Sequence, residues 1–571
     1  MILQALNDYY ERLRADPEMN VSDFGFSMQG VHFCLTIDKE GNLVGDPLDL
    51  RQDGKALRIE VPGPVERTVG VLANFAWDNT GYVLGADNKG KPERTQKTHE
   101  AFKALAKEVL KDVDDEGATA FLAFLAQWTP EKADSLPGWK EMVGMNVVFR
   151  LDGNRQFLHQ RSAFRSAWLN YLAAAGCVHT GMCLVTGKEN APIPYIHSPI
   201  KGVPGAQSRG AALISFNFDS AISFGKKQNL NAPICEQAAF AYTTALNTLL
   251  ASGSHRKVQI GDTTVVFWTD VPVAAEEFFG LAVGGKEAED QKMAKEIEQY
   301  LRTVVKGHYP YELGERDTAF YVLGLSPNAA RLSVRFWYVG TVGKMAENIG
   351  AHYKALSLQR SFENDPEYPR PWWLLKELAP QRDSRHIPSL LAGQLVRAIV
   401  HNQLYPRTLL TSVMSRIRAD KQVNYLRACI IKAYLIRNAQ KEIAMGLDKD
   451  NTDIGYRLGR LFAIVEHIQN NAVPGANATV RDRFFGAGAA TPRRIFPVIL
   501  KNAQHGLAKI RKEKPGWAIT LDKSLQEILD NVDPKNGFPA TLPLEKQGMF
   551  VLGYYHQRQD LYTKQEDKAE E

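Results

Sequence analysis

The residues best suited to chemistry lie in one run, Lys201–Leu250. A loop with Gly202, Gly205 and Gly210 carries Lys201, Gln207, Ser208 and Arg209. Glycine admits positive φ and close backbone approach, and successive N–H groups in such a loop form an anion-binding nest. Cationic and amide side chains on that nest suit a phosphate backbone and a base edge. An alternating strand is expected next, with Ile214, Phe216 and Phe218 on one face and Ser215, Asn217 and Asp219 on the other. A second basic loop, Gly225-Lys226-Lys227-Gln228-Asn229, leads into an Ala-rich helix with Pro233 near its start. The competing reading is a glycine turn, an edge strand and a solvated lysine pair.

A second candidate lies upstream. Asn74, Asp78 and Asn79 sit among aromatics, followed by a basic loop with Lys89, Lys91, Arg94 and Lys97. Asparagine is an adenine reader and lysine a phosphate or guanine contact; the alternative is Asx-turn chemistry and an exposed helix start. Arg155, Arg161 and Arg165 are expected on one helix as a basic face. Cys177, His179, Cys183 and His197 form a sparse constellation whose spacing fits no standard zinc pattern. Gly280–Glu287 approaches GxxxxGK[ST], but Glu287 stands where a magnesium-binding hydroxyl belongs, and no strand leads in.

The elements that must position these residues belong to a chain of 571 residues, too long for one core. Apolar content of 44% and charged content of 23% are those of a soluble protein. Five cysteines, an odd number, read as reduced thiols in a cytoplasmic protein. The N-terminus reads as no signal peptide, and no apolar run reaches membrane-spanning length. Ile2, Leu3, Leu6, Tyr9, Tyr10 and Leu13 predict an amphipathic helix. Val31, Phe33, Leu35 and Ile37 predict one strand face, with a turn at Lys39–Asn42. Further strands are expected at Leu57–Val61, Val143–Leu151 and Thr263–Trp268, with a hairpin over 318–340 turned at Ser326-Pro327-Asn328. Helices are expected near 94–111, 116–128 and 287–305. The fold class is α+β: a mixed N-terminal domain over 1–360, a Pro-rich joint at 361–383 and an all-α bundle over 384–571.

The expected bundle is basic. Residues 376–525 hold 25 Lys/Arg against 11 Asp/Glu, a surplus of 14 in a chain whose net charge is only +5. Val423, Leu426, Ile430 and Ala433 predict a buried stripe. Arg416 and Arg427 are eleven apart, as are Lys421 and Lys432, which places each pair on one face of a continuous helix. With Arg437 they make a candidate strand-guiding surface, the alternative being a solvated basic bundle. An acidic, frayed tail ends the chain. No HExxH, HD-type cluster, GxSxG elbow or intact P-loop appears in the sequence.

Long strings in the chain resemble the large subunit of type I-C CRISPR Cascade complexes. They include LVTGKENAPIPYIHSPIKGVPGAQSRGAALISFN, GKKQNLNAPICEQAAFAYTTALNTLL, TTVVFW, AFYVLGLSPNAARLSVRFW, PWWLLKELA, YPRTLL and RIRADKQVNYLRACIIKAYLIRN, with MILQALNDYY and NFAWDNTGYVLG nearer the N-terminus. Arg209 departs from the family's usual serine and adds a charge to the glycine loop. The resemblance implies a non-catalytic subunit without cofactor or metal. Such a subunit works with a guide RNA, double-stranded target DNA, the Cascade backbone and guide-end-binding subunits, and a helicase-nuclease. It implies reading of the protospacer-adjacent motif, duplex opening and R-loop formation, with sequence specificity left to guide pairing. On that basis Asn74, Asn79, Lys89, Lys91, Lys201, Gln207, Ser208 and Arg209 are assigned to motif reading and duplex entry, supported by Lys226, Lys227 and Gln228. Arg416, Lys421, Arg427, Lys432 and Arg437 are assigned to strand guidance. Complexes of this kind also make a small subunit by internal translation, and Lys441-Glu442-Ile443-Ala444-Met445 admits a ribosome-binding sequence before Met445. Two other classes stay open: a nuclease with an unrecognised site, and an RNA–protein scaffold.

Overall fold

The computed structural model describes residues 1–19, 21–65, 70–174, 179–284, 291–532 and 537–566. Cys177 and Gly285–Glu287 lie outside the described residues, as does the end of the acidic tail from 567. The chain divides into two compact units, Met1–Ser198 with Ile214–Leu246, and Pro199–Leu213 with Asn247–Glu571.

The first unit is built on a four-stranded sheet in the order Leu48–Asp49, Phe33–Ile37, Asn146–Leu151, Trp77–Asn79. Its two central strands run parallel, Phe33 opposite Val147 and Ile37 opposite Leu151. Burial on both sides explains their near-continuous apolar character. Phe33, Leu35 and Ile37 pack with Phe102, Phe121 and Phe124 from helices Pro92–Val109 and Glu116–Gln127. Val31 does not share that face, contrary to the alternation. It ends a separate strand, Phe26–Val31, and packs with Cys34, Val61, Trp77 and Val148 on the other side. His32 lies outside both strands, and that break resets the two-residue period. The N-terminal helix Ile2–Ala15 buries Leu6, Tyr9, Tyr10 and Leu13, as its spacing requires.

The second unit starts from an antiparallel sheet in the order Arg331–Thr341, Ala319–Asn328, Thr263–Thr269, Lys257–Ile260. The expected hairpin forms, but it reverses at Ala329–Ala330 rather than at Pro327, with Asn328 opposite Arg331 and Ala329 at φ 52°. The Thr263–Thr269 strand pairs only as far as Leu325, so Pro327 lies where the strand has one neighbour and proline is tolerated. Val265, Phe267, Phe320 and Phe336 face one core with Phe278, Ile349 and Leu395. That core runs on into the C-terminal helices, and Leu374, Leu375 and Leu378 of the Pro-rich stretch are buried within it.

From Pro371 onward the described chain is helical, giving a mixed α/β start and a helical C-terminal region. The single helix expected through 416–437 is broken. Arg407–Asp420 ends at Lys421, which takes a left-handed conformation at φ 52°, and Tyr425–Ala439 restarts with Asn424 accepting a hydrogen bond from the Arg427 N–H. The break is tied by charge: Arg427, its side chain 4% exposed, pairs with Glu377 at 3.1 Å and with Asp420, while Glu377 also pairs with Arg382 at 2.7 Å. Loss of one partner from a buried pair leaves an uncompensated charge. Arg427→Ala is therefore expected to destabilise the fold by about 3 kcal/mol, read as a lowered midpoint in denaturant. Unchanged stability would contradict this placement.

Candidate nucleic-acid interface

The glycine loop is an exposed tip on bonded feet. Ile200 and Ala211 exchange two backbone hydrogen bonds of 2.9 and 2.8 Å, and both side chains are buried with Val203. The Lys201 N–H donates to Asn247 Oδ1 at 2.8 Å, and the Asn247 side-chain amide donates to the Pro199 carbonyl. On the returning side Ala212 bonds to the Ala330 carbonyl, and the Leu332 N–H donates back to Ala212, splicing the loop onto the turn of the sheet hairpin. Gly202 and Gly210 make this closure possible. Their φ values are 87° and 100°, and a Cβ would meet Leu250 O at 2.5 Å or Pro199 Cβ at 2.7 Å. Between the feet Lys201, Gln207, Ser208 and Arg209 all face solvent. The loop therefore presents an amide, a hydroxyl and a guanidinium in succession on a fixed backbone, the donor and acceptor set that reads a base edge or holds a phosphate.

The strand expected over 214–219 does not form. Residues 214–218 are irregular, Asn217 and Phe218 are exposed, and no neighbouring strand pairs with them among the described residues. The second basic loop is a tight reversal in which Ser223 bridges Lys226, with Lys226 and Lys227 exposed and Gln228 half-buried at φ 50°.

The upstream candidate separates into structural and accessible parts. Asn74 is a correction: it is 5% exposed, its side-chain carbonyl accepts the Val65 N–H, and its own N–H donates to Asp78. Asn79 caps the short helix Thr80–Val83 by accepting the Gly81 N–H, and its side-chain amide donates to Asp78. Asx chemistry thus takes up both side chains. Lys89 and Lys91 are exposed; an Asx turn at Asp87 shapes their loop, and Lys91 opens the helix Pro92–Val109 beside exposed Arg94 and Lys97. Arg161 and Arg165 are also corrected. Arg161 pairs with Asp115 at 2.8 Å, and Arg165 pairs with Asp23 and Glu60 while lying over the Phe26 ring. Arg155 is exposed, outside any helix.

Four of the five strand-guiding candidates are drawn into the protein. Arg427 is the buried ion-pair partner described above. Lys432 is buried, donates to the Ser357 carbonyl, and burial holds its pKa down to about 8. Arg437 donates to the Ala398 and Gln403 carbonyls and stacks on Tyr405, with its pKa lowered by burial. Arg416 pairs with Asp420 one turn on. Lys421 alone of the five is exposed. A better basic face lies on the helix Pro492–Glu513, which buries Phe496, Ile499, Ala503, Leu507 and Ile510. Arg494, Lys501, His505 and Lys512 are exposed on it. Their steps of seven, four and seven residues keep them within roughly 20° of one line at 3.6 residues per turn. That period was readable in the sequence; the count of Lys and Arg alone concealed it.

Among the described residues no group of three or more His, Cys, Asp or Glu is placed to hold a metal. Cys34, Cys183, Cys235 and Cys429 are free and buried, and no described helix is long and apolar enough to cross a membrane. A family model described as CRISPR-associated protein (Cas_Csd1) matches residues 6–562. No curated protein matches the chain.

Proposed function

The chain belongs to the Cas_Csd1 family of CRISPR-associated proteins, and from that premise we propose that this Cascade subunit reads the protospacer-adjacent motif in duplex DNA and starts its opening. The observation that carries the reading is the tied glycine loop with Gln207, Ser208 and Arg209 exposed at its tip. A rigid loop of donors and acceptors discriminates bases, whereas a mobile lysine contacts any phosphate. Lys89, Lys91, Lys226 and Lys227 supply such phosphate contacts, and the Arg494–Lys512 stripe takes the strand-guiding role. The subunit is non-catalytic. Its partners are the guide RNA, the backbone and guide-end-binding subunits, and the helicase-nuclease that acts on opened DNA.

The decisive comparison is duplex binding by the guide-loaded complex, with and without the motif. A triple variant, Gln207→Ala with Ser208→Ala and Arg209→Ala, is expected to assemble normally and to lose about 1–3 kcal/mol of discrimination for each base contact removed. Full discrimination in an assembled variant would refute the loop's role. Arg494→Ala with Lys501→Ala and Lys512→Ala is expected to weaken binding to all sequences alike and to flatten its salt dependence by roughly 0.9 per phosphate contact. A salt slope equal to wild type would remove the stripe from the account.

The gene for this chain also yields a small helical partner, by internal translation from Met445. That residue lies between the helices Tyr425–Ala439 and Ile454–Ala472, so a product beginning there holds every later helix whole. Two of them touch backbone to backbone: a Cβ on Gly459 or Gly553 would meet Phe550 O or Tyr456 O within 2.0 Å. Silent recoding of residues 441–444 is expected to abolish a product of residues 445–571 while sparing the full chain; persistence of that product would disprove the internal start.

A further inference from the structure

Two buried thiols meet at the ends of the segment that carries both candidate recognition loops. Cys183 opens the tight turn between the short paired strands Thr180–Gly181 and Ala191–Pro192. The Cys183 N–H donates to the Lys188 carbonyl at 2.9 Å, and the Gly187 N–H donates back to the Cys183 carbonyl at 2.8 Å, with Gly187 at φ 71°. Cys235 stands directly before the helix Glu236–Leu249. Two bonds join the turn to the start of that helix. The Leu184 N–H donates to the Pro233 carbonyl at 2.9 Å, and the Cys235 N–H donates to Cys183 Sγ at 3.2 Å. Cys183 is 1% exposed and Cys235 3%.

The two sulfurs differ in acidity because they differ in donors. Burial opposes ionisation of Cys183, but the Cys235 N–H, the Thr186 hydroxyl and the Thr186 and Val185 N–H groups all reach its sulfur, and together they bring its pKa down. Cys235 is pushed up, first by burial, with the hydrogen bond and charge of Cys183 adding to it. Cys183 is thus the better nucleophile, and Cys235 keeps its proton beside it, the division between an attacking and a resolving cysteine. The Cys235 side chain is already hydrogen-bonded to Cys183, so the sulfurs join without a backbone rearrangement. Cys34 and Cys429 are buried in two separate hydrophobic clusters. The cover over Cys183 is thin: Leu184, Thr186, Gly187 and Lys188 are exposed. A molecule as small as a peroxide reaches a sulfur that a bulky thiol does not.

We propose that Cys183 and Cys235 form a reversible disulfide when the protein meets a peroxide. The Cys183 thiolate attacks one peroxide oxygen. The S–O bond forms, the O–O bond breaks, and the departing hydroxide takes up the proton lost from the thiol as water. The Cys235 thiol then attacks the sulfenic sulfur. The S–S bond forms, the S–O bond breaks, and hydroxide leaves with the Cys235 proton as a second water. Two thiols and one peroxide give one disulfide and two waters, with two electrons passing from sulfur to oxygen. The bond closes residues 183–235 into a covalent ring that holds both basic loops, and it keeps the turn from parting from the helix start. This chemistry is independent of what the loops bind.

The test treats the guide-loaded complex with stoichiometric hydrogen peroxide, then blocks free thiols, unfolds and digests the protein, and maps the peptides by mass spectrometry. One cross-linked pair joining Cys183 to Cys235 is expected, with the thiols of this chain falling by two, from five to three. Backbone hydrogen exchange at residues 184–188 is expected to slow by roughly tenfold, because the turn no longer opens away from the helix. Dithiothreitol should restore all five thiols and the original exchange rate. Cys235→Ser keeps a small polar side chain and is expected to stop at a sulfenic acid on Cys183, captured by dimedone, with exchange indifferent to peroxide. Five thiols surviving excess peroxide would overturn the inference. So would a disulfide joining Cys183 to Cys177 or to another chain, irreversible oxidation of wild-type Cys183 without a cross-link, or a cross-linked chain whose exchange at 184–188 is unaltered.

Discussion

An exposed loop keeps a shape only when its backbone is tied at the feet, because its own side chains bury nothing. Both candidate recognition loops meet that constraint by short hydrogen bonds. The glycine loop closes through Ile200 and Ala211, is braced by Asn247, and is joined at Ala212 to the sheet hairpin. The second closes through Ser223 and Lys226 and is braced by Asn231. In each, residues in left-handed conformations turn the chain outward. Rigid presentation lowers the ordering entropy lost on binding, so polar tips contribute to recognition instead of being averaged over many conformations.

The same accounting of partners decides which basic residues are available. The C-terminal segment carries a large surplus of Lys and Arg, but much of it is committed internally. Arg427 neutralises Glu377 and Asp420, Arg437 fills a crowded polar site over Tyr405, and Arg460 donates to the Lys449 carbonyl and to Gln557. Buried guanidinium groups satisfy carbonyls and carboxylates that would otherwise be stranded, and the surrounding helices hold them there. The basic side chains left over are those that reach solvent. Arg494, Lys501 and Lys512 do so on the helix Pro492–Glu513, whereas Arg427, Lys432 and Arg437 are engaged with partners inside the protein.

Local periodicity reported what local periodicity can. The N-terminal helix, the Phe33–Ile37 strand, the hairpin of the second sheet and the helical C-terminal region were legible because each buries a regular face. Three features were not. Alternation over residues 214–219 has no partner strand among the described residues, and alternation without a partner makes no ladder. The eleven-residue spacings from Arg416 to Lys432 assumed an unbroken helix, whereas Lys421 takes a left-handed conformation and resets the phase. Asn74 shares its residue type with base readers, but it is buried and its side-chain carbonyl accepts the Val65 N–H, a contact that only the folded chain reveals. The loops at 201–210 and 225–229 stood out by composition; their bonded feet were invisible until distant residues such as Asn247 and Ala330 were placed.

If the tip of the glycine loop meets the bases of the motif, a photo-crosslinking amino acid at position 208, in the guide-loaded complex bound to motif-bearing duplex, gives crosslinks that map to the motif base pairs and vanish when the motif is changed. Crosslinks confined to guide RNA or to another subunit, and indifferent to the motif, would contradict it.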